Sequence, residues 1–336
     1  MRRTALLILI GIMVFTLFAC NGPENKTVQI KPRIVMISDT AGLGDQGLND
    51  LVWAGCEKAS KEKDVDIRCL ESGSREEYVK NMETAIQEDA VVIVCAGSDL
   101  TDATKATATA YPKAKFILVG GQLDMDNVTC LTFQEQEAGF LAGIAAARTS
   151  KTKKIGFVGG IKNPEMEKYQ YGFVAGVKTA DPQGEVIVDY TGNVDREQDG
   201  ADLAKKQREA GVDVIFHNAG RGGLGVIDLA GEDDFWVIGS ERDQSGLDSK
   251  HVLCSVAKDG DEAVYKEIEK ALKGNLKGGT ISYDLKKEGI FLSDNAGNLD
   301  AETKKEIDKW KDVIIKGDII VPIDEKSLAK YAPPEI

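Results

Sequence analysis

Short apolar runs alternate with amphipathic segments along most of this chain. The apolar runs are rich in β-branched residues, which is typical of strands buried on both faces. Between them, apolar residues recur every three or four positions, as in residues 49–62, which predicts helices. The alternation predicts an α/β fold with parallel sheets. The predicted strands are Ile34–Ser38, Val91–Cys95, Phe116–Val119, Lys154–Val158, Val186–Tyr190, Asp213–His217, Trp236–Ile238 and Val252–Val256.

So many strands exceed what one compact doubly wound sheet with short connections usually holds, so we expect two lobes. A TIM barrel is the alternative architecture. Polar and glycine residues directly follow the predicted strands, among them Ser98 and Asn218. In open α/β sheets, ligands bind at these carboxyl ends of the strands. The pattern therefore predicts a binding cleft formed by several strand-end loops.

The loop after the first predicted strand contains two carboxylates, Asp39 and Asp45, among glycines that allow close backbone approach. These side chains are suitable acceptors for sugar hydroxyls. They are equally suitable for a cation, although no EF-hand spacing follows them. Further along, Lys258 follows a predicted strand and begins a helix, where it either reaches into the cleft as a donor or lies solvated on the surface.

A second glycine-rich loop, Gly220–Gly225, matches the dinucleotide-binding pattern GxGxxG, and Glu241 ends the next strand. A dehydrogenase is therefore one alternative, although the loop lies late in the chain. The loop in any case predicts a helix N-terminus near Arg221 that presents backbone N–H groups to ligand oxygens. No hydrolase, metalloprotease or Walker motif is present, and two histidines exclude a multi-histidine metal site. We predict no catalytic residues, no metal and no cofactor.

The N-terminus predicts export. Arg2 and Arg3 precede an uncharged apolar run that ends at Cys20, as in a secretory signal peptide, and the run is short for a membrane span. The small residue before Cys20 resembles a bacterial lipobox. We therefore predict a signal peptide over 1–19 and a lipidated Cys20 with a polar tether over 20–32. An ordinary signal peptide with an incidental cysteine is the alternative.

Charge and cysteine content narrow the choice of partners. The 336 residues include 42 Lys and Arg against 55 Asp and Glu, a formal charge of −13, which argues against nucleic acid as a partner. Apart from Cys20 there is an odd number of cysteines, mostly within apolar runs and without a CxxC pair. We expect most of them to be buried free thiols, and the sequence leaves open whether one disulfide forms. These cysteines are Cys56, Cys69, Cys95, Cys130 and Cys254.

Several motifs in fixed order give the region 33–322 a family resemblance. It resembles the basic membrane protein family of substrate-binding lipoproteins, which includes purine nucleoside receptors of ABC importers. The motifs are Ser38–Asp50, Tyr111–Phe116, Leu131–Gly143, Lys154–Gly160, Tyr171–Gly176, Ala219–Gly225, Trp236–Gln244 and Ser255–Lys258.

The resemblance implies a type I periplasmic-binding-protein fold, with two Rossmann-like lobes that are joined by crossover strands and close on one solute. It implies a first lobe of residues 33–133 plus 252–276 and a second of 134–251 plus 277–336. It further implies an extracytoplasmic, lipid-anchored receptor that delivers a purine nucleoside to an ABC permease without turning it over.

The resemblance also suggests roles for individual residues. Asp39 and Asn49 would contact the ligand, Glu241 would accept from ribose hydroxyls, Lys258 would donate, and Asp102 would contact the base. The full predicted ligand-binding set is Asp39, Asp45, Leu48, Asn49, Trp53, Ser98, Asp102, Tyr169, Asn218, Arg221, Glu241 and Lys258.

The chain departs from the family pattern at three places. Leu48 stands where an aromatic residue usually stacks on the base, and Trp53 or Tyr169 would have to replace that face. Glu241 stands in place of Asp, and Gly121-Gln122 where the fourth strand normally ends in Asp. Riboflavin, another flat heteroaromatic solute with a polyol, is the alternative ligand. A nucleoside-processing enzyme and a surface adhesin without a small ligand are the alternative classes.

Overall fold

The computed structural model describes residues 31–334; the predicted signal peptide and Cys20 lie outside this range. Within it, the chain forms two six-stranded sheets. The first is entirely parallel. From edge to edge it contains β2 (Asp66–Leu70), β1 (Arg33–Ile37), β3 (Ala90–Ala96), β4 (Phe116–Val119), β5 (Val128–Phe133) and β11 (Gly279–Tyr283).

The second sheet is parallel except at one edge, where the last strand runs antiparallel to its neighbour. From edge to edge it contains β7 (Glu185–Tyr190), β6 (Lys154–Gly159), β8 (Val214–Asn218), β9 (Trp236–Glu241), β10 (Val252–Lys258) and β12 (Ile290–Ser293). We name each lobe after its sheet, so the first lobe contains the first sheet and the second lobe the second sheet.

Helices cover the sheets. The first lobe has α1 (Leu48–Lys63), α2 (Glu77–Gln87), α3 (Thr101–Ala110) and α8 (Gly260–Leu272), and α8 packs on α1 and β3. The second lobe has α4 (Glu135–Thr149), α5 (Pro164–Ala180), α6 (Glu197–Glu209), α7 (Arg221–Asp233), α9 (Ala301–Lys316) and α10 (Glu325–Leu328). None of the helices formed by residues 31–334 is long and apolar enough to cross a membrane.

The chain passes between the lobes three times: from β5 to α4, from β10 to α8, and from β11 to β12. The predicted α/β class with two parallel-sheet lobes is confirmed, and a single barrel is excluded for the described residues. Strand pairing differs from the predicted division at two strands. Residues 252–258 pair in the second sheet and 279–283 in the first. Hydrophobic periodicity identifies a strand but carries no information about which sheet edge it joins.

Side chains from one strand face two different hydrophobic cores, as the two-residue repeat of a strand requires. Ile34 and Met36 of β1 contribute to the large core that extends through the molecule. Val35 and Ile37 contribute to a separate core on the other face of the sheet. Burial on both faces explains why these strands appear in the sequence as continuous apolar runs. The five cysteines in the described range are all free, four of them fully buried.

Glycines bring α4 and α5 into backbone contact. A Cβ atom built on Gly176 would lie 2.0 Å from the carbonyl oxygen of Phe140, and one on Gly143 would lie 2.2 Å from that of Phe173. No side chain fits at either position, so the two helices pack closely. This packing places the first turn of α4, with Glu135, beside that of α5, with Glu165, at the edge of the cleft described below.

Substituting Gly176→Ala is expected to destabilise the protein by about 2 kcal/mol or more, because the added methyl group forces α4 and α5 apart. Urea unfolding followed by circular dichroism measures this. Gly246→Ala is the matched control, since Gly246 is exposed and has open space where a Cβ atom would lie. Equal losses of stability in the two variants would contradict this account of the helix packing.

Candidate functional site

A cleft lies between the lobes, where the carboxyl ends of strands from both sheets face each other. It encloses about 780 Å³ of space free of protein atoms, part of it open to solvent. Polar groups and aliphatic side chains both line it. The aliphatic lining consists of Leu48, Ile161, Met166 and Val194.

The ammonium group of Lys258 is the central charge of the second-lobe wall. Its Nζ lies 3.0 Å from Glu241 Oε2 and 3.2 Å from Glu135 Oε1, and it also lies over the rings of Phe133 and Tyr169. Burial alone would lower the pKa of Lys258, but the carboxylates of Glu241 and Glu135 outweigh burial and raise it above its ordinary value. Lys258 therefore carries its charge inside the protein.

Glu241 is held by three further constraints. Its Oε1 accepts hydrogen bonds from the Tyr169 hydroxyl at 2.7 Å and from Asn218 Nδ2 at 3.1 Å. Its backbone has a φ of +67°, a left-handed conformation that a residue with a side chain seldom adopts. Strained backbone of this kind is concentrated at functional sites. Glu241 is therefore a rigidly placed acceptor at the cleft.

Glu135, at the first turn of α4, is fully buried. Burial would raise its pKa, but the charges of Lys258 and Lys168 lower it below the ordinary value. Glu135 Oε2 lies 3.3 Å from Lys168 Nζ. Two carboxylates and two ammonium groups thus neutralise one another around the base of the second-lobe wall, as buried charges require.

Asp39 presents a free carboxylate oxygen on the first-lobe wall. Its Oδ1 accepts hydrogen bonds from Asn49 Nδ2 at 2.7 Å and from the Ala41 amide at 2.9 Å. Its Oδ2, which accepts no hydrogen bond from a described residue, lies beside Gly97 at the cleft wall. Burial, and to a smaller extent the neighbouring Asp45, raises the pKa of Asp39 to about 7. Asp39 is thus an acceptor that lacks a partner.

Asp45 and Asn49 instead support Asp39 and the first turn of α1. Asp45 accepts hydrogen bonds from the backbone amides of Gly47, Asn49 and Asp50 and from the Asn49 side chain. These amides would otherwise be unpaired at the helix N-terminus. Asn49 is fully buried behind Asp39 and links the two aspartates. Asp45 therefore lines the cleft, but both of its carboxylate oxygens already accept hydrogen bonds from protein N–H groups.

Arg221 bridges the two lobes. From the first residue of α7 its guanidinium donates to the carbonyl oxygens of Ala41 and Leu43 in the first lobe, both at 2.7 Å. Gln244 Nε2 donates to the Gln46 carbonyl at 3.0 Å. Asn163 Nδ2 donates to Ser98 Oγ at 3.3 Å. These bonds form only when the lobes approach, so the arrangement is a closed one.

The structure brings most of the sequence-predicted ligand residues to the cleft wall and leaves four away from it. Asn49 lies behind Asp39, and Trp53 packs against the hydrophobic core. Asp102 is exposed on α3, and the Arg221 side chain is directed at the loop after β1. The predicted residues that line the cleft are Asp39, Asp45, Leu48, Ser98, Tyr169, Asn218, Glu241 and Lys258.

Sequence reasoning missed several lining residues. Asn163, Glu165 and Met166 come from the start of α5, where Asn163 caps the helix by accepting from the Met166 amide. The signal was present: Asn-Pro-Glu after a strand ending in Gly-Gly is a typical helix start at a strand-end loop. Val194 and Gln244 lie in loops that carry no comparable signal.

Comparisons with known proteins agree with this geometry. The family model described as "ABC transporter substrate-binding protein PnrA-like" (Bmp) matches residues 32–325. An "ABC transporter nucleoside-binding protein BmpA" of Lactococcus lactis subsp. cremoris is 33% identical over 313 residues, which cover 86% of this chain and 89% of that one. The "Basic membrane protein A" of Borreliella burgdorferi is 31% identical over 339 residues, with 98% of both chains covered.

Solved structures support the same fold. A solute-binding protein of an ABC transporter system from Aeropyrum pernix K1 superposes with a TM-score of 0.81 at 24% identity, covering 89% of this chain and 96% of that one. A carbohydrate transporter solute-binding protein from Agrobacterium radiobacter, solved with D-arabinose, superposes with a TM-score of 0.63 at 19% identity, covering 83% of this chain and 99% of that one. Such identities indicate a shared fold.

Replacing Asp39→Asn is expected to stabilise the ligand-free protein above pH 7. The folded-state pKa is about 7 against an ordinary value of 3.8, so Asp39's contribution to stability is full below about pH 4 and is lost as the pH rises through 7. The variant should therefore gain on the order of 2 kcal/mol at pH 8, since partial exposure reduces the effect, and little at pH 4.

Urea unfolding at the two pH values measures this difference. Asp102→Asn, which removes an exposed carboxylate, is the matched control. A stability gain at pH 8 no larger than that of the control would show that the Asp39 carboxylate is not destabilising in the folded state.

Proposed function

Because this chain belongs to the family of PnrA-like substrate-binding proteins of ABC transporters, we propose that it captures a purine nucleoside in the cleft between its lobes. Proteins of this class bind a small solute and interact with an ABC permease. That the solute is a nucleoside is the more specific part of the proposal. The printed name of the Lactococcus relative supports it, as does the distribution of groups along the cleft.

The observation that carries the proposal is a cleft with polar acceptors and donors from both lobes and a separate aliphatic lining. The free Oδ2 of Asp39 and the Glu241–Lys258 pair are suited to adjacent hydroxyl groups of a sugar. Leu48 and Val194 offer apolar surface to a flat ring. A nucleoside has this division into a hydroxyl-rich half and a flat heteroaromatic half.

The ring would pack against aliphatic side chains. Tyr169 is the aromatic residue among the described lining residues, and its hydroxyl is already bonded to Glu241. Trp53 is partly buried, packs against the core and does not line the cleft, so it does not replace the stacking face that Leu48 lacks. Losing one stacking contact weakens nucleobase binding by about 1–3 kcal/mol by analogy with single-stranded nucleic acids. We therefore expect contacts with the base to contribute less to the binding free energy than contacts with the sugar.

Capture would proceed by hinge closure. Asp39 lies on the first lobe, whereas Glu241 and Lys258 lie on the second, so a solute bound to both stabilises the closed state relative to the open one. The permease would then recognise the closed, loaded receptor. The solute would leave chemically unchanged.

Calorimetric titration with inosine, adenosine, guanosine and riboflavin tests the proposal. We expect saturable binding of at least one purine nucleoside, with Asp39→Asn weakening it about tenfold or more because an amide nitrogen replaces the oxygen that accepts from the sugar. Asp102→Asn is the control and should bind like the native protein. Chromatography of the recovered solute should show no product.

If riboflavin binds and none of the nucleosides does, the solute is riboflavin, the alternative ligand. Absence of heat and of a thermal shift with all four compounds would contradict the ligand class. An unchanged dissociation constant in Asp39→Asn would remove the sugar-binding role of Asp39 while leaving the ligand class intact.

We also propose that the protein is lipid-anchored on the extracytoplasmic side of the membrane through Cys20, which lies outside the described residues. The support is the sequence pattern of residues 1–20. Expressed in a bacterium fed radiolabelled palmitate, the chain should become labelled, and Cys20→Ser should abolish the label. Cys69→Ser is the matched control. Label that persists in Cys20→Ser would contradict the anchor.

A further inference from the structure

One carboxylate at the cleft wall is not used by the binding scheme above. Asp99 follows β3 within a short 3₁₀ helix, Ser98–Leu100, and lines the cleft on the first-lobe side. Its side chain is 16% exposed. Asn163 of the second lobe donates a hydrogen bond to the hydroxyl of Ser98, the residue directly before Asp99. Asp99 therefore lies where the two lobes meet across the cleft.

The two carboxylate oxygens of Asp99 differ in their partners. Oδ2 accepts a hydrogen bond from Arg75 Nη2 at 2.7 Å. Oδ1 accepts no hydrogen bond from residues 31–334, yet it keeps accessible surface, unlike the fully buried oxygens Glu135 Oε1 and Glu165 Oε1. Arg75 thus fixes the carboxylate through one oxygen and leaves the other one accessible.

Asp99 and Asp39 are the carboxylates of the first-lobe wall that keep an oxygen without a hydrogen bond from a described residue. Asp45, the third carboxylate there, already accepts four hydrogen bonds from N–H groups. Burial is the main cause of the raised pKa of Asp39, and the charges of Asp45 and Asp99 add to it, so Asp99 is a near neighbour of Asp39. On the second-lobe wall, Asn218 is bonded to Glu241 and belongs to the group assigned to the sugar. A solute whose sugar binds Asp39 therefore has a second acceptor within reach on the same wall.

The aliphatic lining of the cleft continues up to Asp99. The hydrogen bond from Asn163 places residues 161–166 opposite the end of β3, and this segment contributes two of the four aliphatic lining residues. A third, Leu48, lies beside Gly97, since a Cβ atom built on that glycine would be 3.8 Å from Leu48 Cδ2. We expect the flat ring of a nucleoside to pack against these aliphatic side chains. Asp99 thus lies at the edge of the half of the cleft that is assigned to the ring.

We propose that Asp99 is a specificity-determining residue, whose Oδ1 accepts a hydrogen bond from an N–H group on the ring of the solute. The proposal rests on the nucleoside function above. A carboxylate oxygen that a bound ring removes from water without offering a donor costs free energy, so a ring that lacks an N–H group at this point is disfavoured. The amino group of adenosine and the N–H groups of inosine and guanosine are such donors, whereas the ring of unsubstituted purine riboside has none.

Three substitutions separate recognition of the ring from other effects. Asp99→Leu removes the acceptor and keeps a branched side chain of similar size. Asp102→Leu is the matched control, since Asp102 is an exposed aspartate on the following helix and does not line the cleft. Asp39→Asn is the reference for a contact with the sugar, which all the nucleosides share. Thermal unfolding of each variant shows whether it folds.

Calorimetric titration of each protein with adenosine, inosine, guanosine and purine riboside tests the proposal. The native protein should bind at least one of the nucleosides that carry an N–H group about tenfold or more tightly than purine riboside. Asp99→Leu should lose most of this preference, and Asp102→Leu should keep it. Asp39→Asn should weaken the binding of all the nucleosides by one common factor and so leave the preference unchanged.

Each of the following results would overturn the proposal. If the native protein binds purine riboside as tightly as the other nucleosides, it recognises no N–H group of the ring. If Asp99→Leu keeps the native preference, Asp99 does not recognise the ring. If Asp99→Leu weakens the binding of all the nucleosides by one factor, as expected for Asp39→Asn, Asp99 acts on the sugar or on closure. In these cases the nucleoside function stands. If the native protein binds no nucleoside, the proposed function fails and this inference fails with it.

Discussion

The cleft depends on the ion pairs that the Lys258 ammonium group forms with Glu241 and Glu135. Lys258 ends β10 directly before the chain crosses to α8, and its partner Glu135 begins α4 directly after the crossing from β5. The pair therefore ties together two of the three passages between the lobes. Its other partner, Glu241, ends β9 at the cleft wall. A buried ion pair of this kind is costly to break, which makes it a rigid reference point for the hinge.

Close helix packing supplies the second constraint. The glycines of α4 and α5 let the helices touch along their backbones, and this brings Glu135 and Glu165 together at their first turns. Side chains at Gly143 or Gly176 would push the carboxyl groups apart. The contact between these two carboxyl groups therefore depends on glycines in the buried interior of the helix pair.

Much of this arrangement was predictable because it depends on local rules. Continuous apolar strands and the polar residues after them predicted the sheets and the cleft, with Asp39 in one of its loops. The family resemblance added Glu241 and Lys258 as ligand contacts, and both residues line the cleft. The predictions were weaker where long-range geometry decides. Strand β2 is polar and half exposed at a sheet edge, so it lacks the apolar run used to identify strands. Whether β10 joins the first or the second sheet depends on where the chain passes between the lobes, and hydrophobic periodicity does not predict that point.

The predicted ligand residues that do not line the cleft show the same limit of prediction from sequence. Arg221 stands in a glycine loop that suggested ligand contact, yet its guanidinium reaches backbone carbonyls of the opposite lobe. Asp102 is next to cleft-lining residues in sequence, but the helix turns its side chain to solvent. Spacing along a chain identifies a loop. Which atoms the loop's side chains reach is decided by the approach of the two lobes.

Bonds between the lobes and unpaired acceptors act in opposite directions on closure. Arg221, Gln244 and Asn163 stabilise the closed state whether or not a solute is present, because their partners are protein atoms. The free Oδ2 of Asp39 destabilises the closed state when the cleft is empty, since closing removes this oxygen from water without providing a donor. A solute that supplies donors removes this penalty and shifts the population towards the closed state. An importer receptor needs this balance, because a permease that recognises the closed form must seldom meet an empty one.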